Sequence, residues 1–221
     1  ILIDAASYLR TKSTSCLVLD PINHARIEAS FKAGGRDFVG GNCTVSLLLM
    51  ALSGLLDVDW IEWASVMTYQ AVSGAGARAV SSLISSYDQA GGLQGEADLL
   101  THMAQVERQQ LQQGDEGTLG GPLGFNVLPW IDEDLHTGVS REEAKLAAEA
   151  HRILGRSDLI LDGLCVRVGA LRCHSQAVTL KLKDPHALAD IESQIRSAPW
   201  VKWVPNCRED SVSQLTPLAI S

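Results

Sequence analysis

The sequence predicts an α/β protein. Residues 1–39 alternate three short apolar runs with one helix, the pattern of a parallel unit in which each strand is followed by a crossover. Two longer β-rich stretches, Val58–Val72 and Leu159–Leu182, follow. A helix with an explicit start and stop signal stands between them. At 221 residues the chain can form one large domain or two small ones around a sizeable core.

In order, Ile1–Ile3 reads as a buried strand and Cys16–Leu19 as a second, stopped by Asp20-Pro21. Pro21 suits the first turn of a helix running to about Lys32, which Gly34-Gly35 ends. Asp37–Val39 is a third strand. It leads through Gly40-Gly41-Asn42 into Cys43 and a helix apolar on nearly every face, which implies burial. Val58–Val72 reads mainly as strand. The turn Ser73-Gly74-Ala75-Gly76 then opens a helix to about Tyr87, and such a turn can hold a phosphate on backbone N–H groups or be a plain helix entry. Leu99–Leu111 is compatible with helix, and Gly114–Gly124, with five glycines and a proline, with a long loop.

Ser140-Arg141-Glu142-Glu143 is a capping box, and the helix it opens runs to about Leu154, with Gly155 after it. Leu159–Leu161, Leu164–Leu171 and Ser175–Leu182 read as strands, Pro185–Arg196 as a helix and Val201–Val204 as a last strand.

The formal charge of −8, from 26 acidic and 18 basic side chains, argues against a nucleic-acid surface and an anionic membrane partner. The longest apolar run, Val45–Leu56, is too short to span a bilayer. Five cysteines at irregular spacing, without Cys-x-x-Cys, suggest neither a disulfide framework nor a zinc site. A reducing, cytoplasmic setting and no metal are expected. The chain opens mid-strand on Ile1 with no methionine and no signal peptide, which suggests a piece of a longer protein.

Five positions carry candidate chemistry. Asn42 is a preferred N-cap, so Cys43 falls in the first helical turn, where unpaired N–H groups and the helix dipole favour the nucleophilic thiolate. The same pattern fits a buried structural cysteine. Glu142 and Lys145 share a helix face, and alone they read as an exposed ion pair. Alternation puts Cys165 and Arg167 on one strand face, and an arginine inside an apolar strand calls for an anion unless that face is solvated. His174 has the other parity, so a turn near Gly169 is needed if it is to join Arg167.

Taken together, Ile3–Ser7, Gly40–Leu49, Thr68–Ala71, Pro129–Asp132, Ser140–Glu143, Asp162–Gln176 and Leu215–Pro217 resemble bacterial-type aspartate-β-semialdehyde dehydrogenases. Gly40-Gly41-Asn42-Cys43-Thr44-Val45-Ser46 and the run from Asp162 to Gln176 are the most specific segments. The resemblance implies the end of a Rossmann-type NADP domain in residues 1–41. A glyceraldehyde-3-phosphate-dehydrogenase-like catalytic and dimerisation domain with a mixed sheet would fill residues 42–221. Cys43 then matches the nucleophile and His174 the general acid/base. Gln70, Glu142 and Arg167 match residues holding the amino-acid part of the substrate, Arg10 and Lys145 the phosphate binders, and Ser73 and Gly74 part of the NADP contact. The implied substrates are aspartate semialdehyde and phosphate, the implied assembly a homodimer.

The dinucleotide-binding half with its glycine fingerprint and the family's C-terminal helix have no counterpart here. The chain by itself is therefore expected not to turn over. The family's cofactor-contacting proline also has no match in Leu99–Glu107. A catalytically silent dimerisation or binding module that keeps the fold is the alternative reading. The intact set of site residues speaks against it.

Overall fold

The computed structural model describes residues 1–89, 103–108, 112, 119–205 and 207–220. The chain forms two compact units.

The first comprises Ile1–Met67, Glu133–Gly163 and Gln176–Asn206. Its N-terminal sheet has β1 (Leu2–Asp4), β2 (Cys16–Val18) and β3 (Asp37–Gly40) in the order β1-β3-β2, all parallel, with Ile3 opposite Phe38 and Leu17 opposite Val39. The crossover helix α1 spans His24–Lys32. It starts three residues after Pro21, because Asn23 first closes the turn: its side chain accepts from Leu19 N and donates to Leu17 O. Ile1–Ile3, expected to be buried, are exposed at one edge of this sheet.

Helix α2 spans Cys43–Asp57 and buries Val45, Leu48, Leu49, Leu52 and Leu55. Leu48, Leu52 and Leu55 pack with Ile61, Val66 and Leu159 as the core of this unit. Helix α5 (Leu188–Ser197) adds Ile191 and Ile195 to that core. The two helices nearly touch: a Cβ on Gly54 would stand 1.9 Å from the Gln194 carbonyl oxygen. Helix α4 (Arg141–Leu154) has the expected capping box and ends at Gly155 with φ +71°, the left-handed cap that glycine adopts without strain.

The second unit comprises Thr68–Asp132, Leu164–Ser175 and Cys207–Ser221. Val72, Ala79, Leu83 and Leu123 are its core, with Ala79 and Leu83 supplied by α3 (Ala77–Gln89). Helices α6 (Arg208–Gln214) and α7 (Pro217–Ile220) lie near the C-terminus.

A mixed four-stranded sheet has the order β5-β6-β4-β7, from β4 (Ile61–Gln70), β5 (Val127–Leu128), β6 (Ile160–Val168) and β7 (Ser175–Leu182). The two strands expected on either side of Gly163 are one, β6. Gly163 is there for approach, not interruption: a Cβ would lie 2.1 Å from Val66 O on β4. The pair β5–β6, antiparallel through Leu128 and Arg167, is too short to read from the sequence. Val201–Val204 forms no strand, because Val201 N is spent on a turn bond to Ala198 O. The expected helix at Leu99–Leu111 falls partly outside the described residues, of which 103–108 are helical; positions 114–118 of the glycine-rich loop also lie outside them.

Candidate functional site

In the first unit the candidate nucleophile sits where β3 turns into α2. Asn42 is the N-cap: its side-chain oxygen accepts from Thr44 N at 2.9 Å and Val45 N at 3.1 Å. These are two of the amides that a helix start leaves without an intrahelical partner. Cys43 is exposed, beside this tightly held cap. Gly41 permits the turn, since a Cβ there would meet Ser46 Oγ at 3.1 Å and Ile153 Cδ1 at 3.2 Å. Gln176 Nε2 donates to Thr44 O at 2.9 Å and ties β7 to the first turn of α2.

One stripe of α4 faces this corner. Glu142, Lys145, Glu149 and Arg152 follow at intervals of three, four and three, which keeps them on one side of the helix. Asn42 Nδ2 donates to Glu142 Oε1 at 3.0 Å, and Lys145 Nζ to Glu142 Oε2 at 2.9 Å. Glu142 is only 6% exposed, so the pair is not the solvated surface bridge that its spacing alone suggests. Asn42 N donates to Glu149 Oε2 at 2.6 Å. Burial pushes the Glu149 carboxyl above its ordinary 4.5, against the pull of the Asn42 amide, Arg10 and Lys145, while Glu142 adds to the upward push.

Arg10 lies on the short 3-10 turn Tyr8–Thr11 and is drawn to the same corner. Its Nε donates to Gly40 O at 2.8 Å and its Nη2 to Ala5 O at 3.1 Å, with Nη1 3.9 Å from Glu149 Oε1. Arg152 holds the backbone of that segment, donating to the carbonyls of Arg10, Lys12 and Ser15. Cys43, Glu142, Lys145 and Arg10 are thus gathered around Asn42. The sequence alone does not single out Glu149 and Arg152. Their signal is the spacing from Glu142, which acquires meaning only once the buried side of α4 is known to carry Glu142 and Glu149 beside Leu146, Ala150 and Ile153.

In the second unit the peptide of Ala71, at the end of β4, is gripped on both sides. Its N–H donates to His174 Nδ1 at 3.0 Å, and its carbonyl accepts from Arg167 Nη1 at 2.8 Å. The parity conflict between Arg167 and His174 is resolved by residues 169–174, which leave the strand; Cys173 takes φ +68° in that turn. Arg167 is 6% exposed and Cys165 fully buried, as alternation requires. Gln70, 2% exposed, accepts from Thr68 Oγ1 at 3.0 Å.

Ser73 and Gly74 are exposed on the turn that follows. A Cβ on Gly74 would stand 3.3 Å from His174 Cε1 and Nε2 and 3.4 Å from Arg167 Nη1. A cavity of about 590 Å³ borders Arg167, walled by Leu119, Leu128, Trp130, Ile131 and Asp132. Gln70, Arg167, His174, Ser73 and Gly74 therefore form the second set.

The five cysteines form no disulfide. Among the described residues no group of three His, Cys, Asp or Glu could hold a metal, and no helix is long and apolar enough to cross a membrane.

The family model for the semialdehyde dehydrogenase dimerisation domain matches residues 52–220. Aspartate semialdehyde dehydrogenase from Francisella tularensis is 40% identical with a TM-score of 0.93, over 98% of this chain and 61% of that one. Aspartate semialdehyde dehydrogenase II from Vibrio cholerae, solved in complex with ASA, is 23% identical with a TM-score of 0.73, over 94% and 57%. A probable aspartate-semialdehyde dehydrogenase from Pseudomonas aeruginosa is 20% identical with a TM-score of 0.72, over 93% and 55%. The last two share the fold. The chain spans about three-fifths of the length of the Francisella protein.

Proposed function

Because the chain belongs to the aspartate semialdehyde dehydrogenase family, we propose that it carries the covalent chemistry of that enzyme. The reaction is the reversible conversion of aspartate β-semialdehyde and phosphate into β-aspartyl phosphate, with NADP. In this reading the protein is a cytoplasmic homodimer serving lysine, threonine and methionine biosynthesis. Residues 1–41 are the end of the NADP-binding domain, and 42–221 the catalytic and dimerisation domain. The observation that carries the reading is Cys43 exposed at a helix start whose N-cap is held by two buried glutamates.

Cys43 thiolate adds to the aldehyde carbonyl, forming a C–S bond and a thiohemiacetal. His174 works through Nε2: Nδ1 accepts the Ala71 N–H, so the neutral ring carries its proton on Nε2. That proton is the one exchanged with the substrate oxygen as the thiohemiacetal forms or breaks. Loss of hydride leaves a thioester on Cys43. A phosphate oxygen then attacks the thioester carbon, the C–S bond breaks, and Cys43 leaves as thiolate with β-aspartyl phosphate as product. Arg167 suits the substrate carboxylate, because its planar fork can pair two oxygens while Nη1 stays on Ala71. Gln70 and Glu142 hold the rest of the amino-acid part, and Arg10 and Lys145 the phosphate.

Ser73 and Gly74 fit the cofactor contact. They are exposed, and the missing side chain at Gly74 lets His174 and Arg167 pack against its backbone. When bound there, NADP supplies the hydride acceptor.

The test uses the complete protein that carries residues 1–221. NADPH formation from aspartate semialdehyde should depend on phosphate and vanish in Cys43→Ser. Omitting phosphate should leave an aspartyl adduct on the Cys43 peptide by mass spectrometry. Turnover that needs no phosphate, or survives Cys43→Ser, overturns the proposal.

A further inference from the structure

We propose that Glu149 is a positioning residue of the phosphate site, tying the Arg10 guanidinium to the peptide that precedes Cys43. The assignment rests on the roles proposed above for Cys43 and Arg10. Glu149 is 5% exposed and lies two helical turns from Glu142 on the inward face of α4. One carboxylate oxygen takes the Asn42 N–H at 2.6 Å, and the other stands 3.9 Å from Arg10 Nη1. The remaining arms of Arg10 end on Gly40 O and Ala5 O. Side chain and corner are therefore locked in one orientation. One turn further along α4, Arg152 holds the Arg10 backbone in the same way.

A neutral acceptor would satisfy one amide. Burying a carboxylate is costly unless its charge is answered, and here it faces two cations, Arg10 and Lys145, and one anion, Glu142. The four charges sum to zero. An arriving phosphate must take Arg10 over from Glu149, while Glu149 keeps Asn42 and so keeps Cys43 in place. The carboxylate thus has two separable jobs. Its charge holds the arginine and opposes phosphate, and its oxygen holds the nucleophile's peptide.

Glu149→Gln keeps an acceptor for Asn42 and removes the charge; Glu149→Ala removes both. The readout is inorganic phosphate protecting Cys43 from iodoacetamide, followed on the Cys43 peptide in the complete protein, beside kcat and the KM for phosphate. In both variants half-protection should need about fivefold less phosphate, the scale of one partly exposed ion pair. That gain should vanish when Arg10→Ala is added, since the two residues are coupled. kcat should stay near wild type in Glu149→Gln and fall about tenfold in Glu149→Ala, where the peptide before the nucleophile is released. If the wild type shows no phosphate protection, the functional reading fails. If it is protected and both variants need as much phosphate as the wild type, or the gain persists without Arg10, the assignment is overturned. Failure of both variants to fold makes Glu149 a structural residue and overturns it too.

Discussion

Arg167→Lys separates charge from geometry at one position. The wild-type side chain is 6% exposed and donates through Nη1 to the Ala71 carbonyl, and its rigid planar fork is the group proposed to meet a carboxylate. Lysine keeps the charge and presents it as a point. It cannot satisfy Ala71 O and pair two carboxylate oxygens in one plane. The loss is one charge-assisted hydrogen bond, about 1.5–3 kcal/mol, so kcat/KM for aspartate semialdehyde should fall about 10- to 150-fold. Part of the fall should appear in kcat, because a shifted Ala71 peptide also moves the N–H that sets the His174 ring. The KM for phosphate should not change. The assay is NADPH formation in the complete protein with each substrate varied, beside a thermal melt to count folded enzyme. A folded variant within threefold of wild type, or a loss confined to phosphate, would refute the reasoning.

Other outcomes follow from the same geometry. Asn42→Ala removes the acceptor of Thr44 N and Val45 N and should cost about 1–2 kcal/mol of stability by denaturant titration, with slower substrate-induced labelling of Cys43. Iodoacetamide should modify exposed Cys43 well before Cys165, which is fully buried; equal rates would mean that the strand β6 around Cys165 opens freely. Gly163→Ala places a Cβ 2.1 Å from Val66 O and should unfold the protein at lower denaturant, whereas Gly138→Ala, with open space around it, should show only the smaller cost of its φ of +82°. The Glu149 carboxyl binds its proton more tightly folded than unfolded. Its contribution to stability is therefore full below about 4.5 and lost as pH rises through the raised value. Melts should show Glu149→Gln gaining on wild type as pH rises above about 4.5; a constant gap would contradict the shift.

The parts of the fold legible in the sequence are those set by local chemistry. Asn42 caps α2 and Ser140 caps α4 because short polar side chains at those positions reach amides two or three residues on. Cys165 and Arg167 share a face because strands alternate. What was not legible depends on partners distant in sequence. Glu142 and Lys145 look like a surface pair until Asn42, 100 residues away, is brought against them. Gly163 looks like a break between strands until the neighbouring strand is known to press on it. Val201–Val204 has strand composition, but its first amide is taken by a local turn before any ladder can form. Only the resemblance to a family pattern suggests Arg10 and Lys145 as phosphate binders, because residues far apart in sequence leave no periodic trace.

Each candidate set is built on peptide groups where a strand gives out. β3 ends at Gly40, and after Gly41, whose N–H still pairs with Val18 O, side chains take the amides of the corner: Asn42 N by Glu149, and Thr44 N and Val45 N by Asn42 itself. β4 ends at Gln70, and the next peptide, Ala71, is taken by His174 and Arg167. Inside a sheet these groups would pair with a neighbouring strand; past its end they are buried and costly unless answered. The carboxyl ends of strands are therefore where side chains with strong donors and acceptors are already required, and ligands gather at such ends in α/β sheets for the same reason. Arg167 shows the consequence: it does structural duty at Ala71 and is also the side chain proposed to meet the substrate carboxylate. Truncating it would disturb the proposed recognition and the local backbone together, so replacements that leave the Ala71 carbonyl satisfied are the ones that test its proposed role toward substrate.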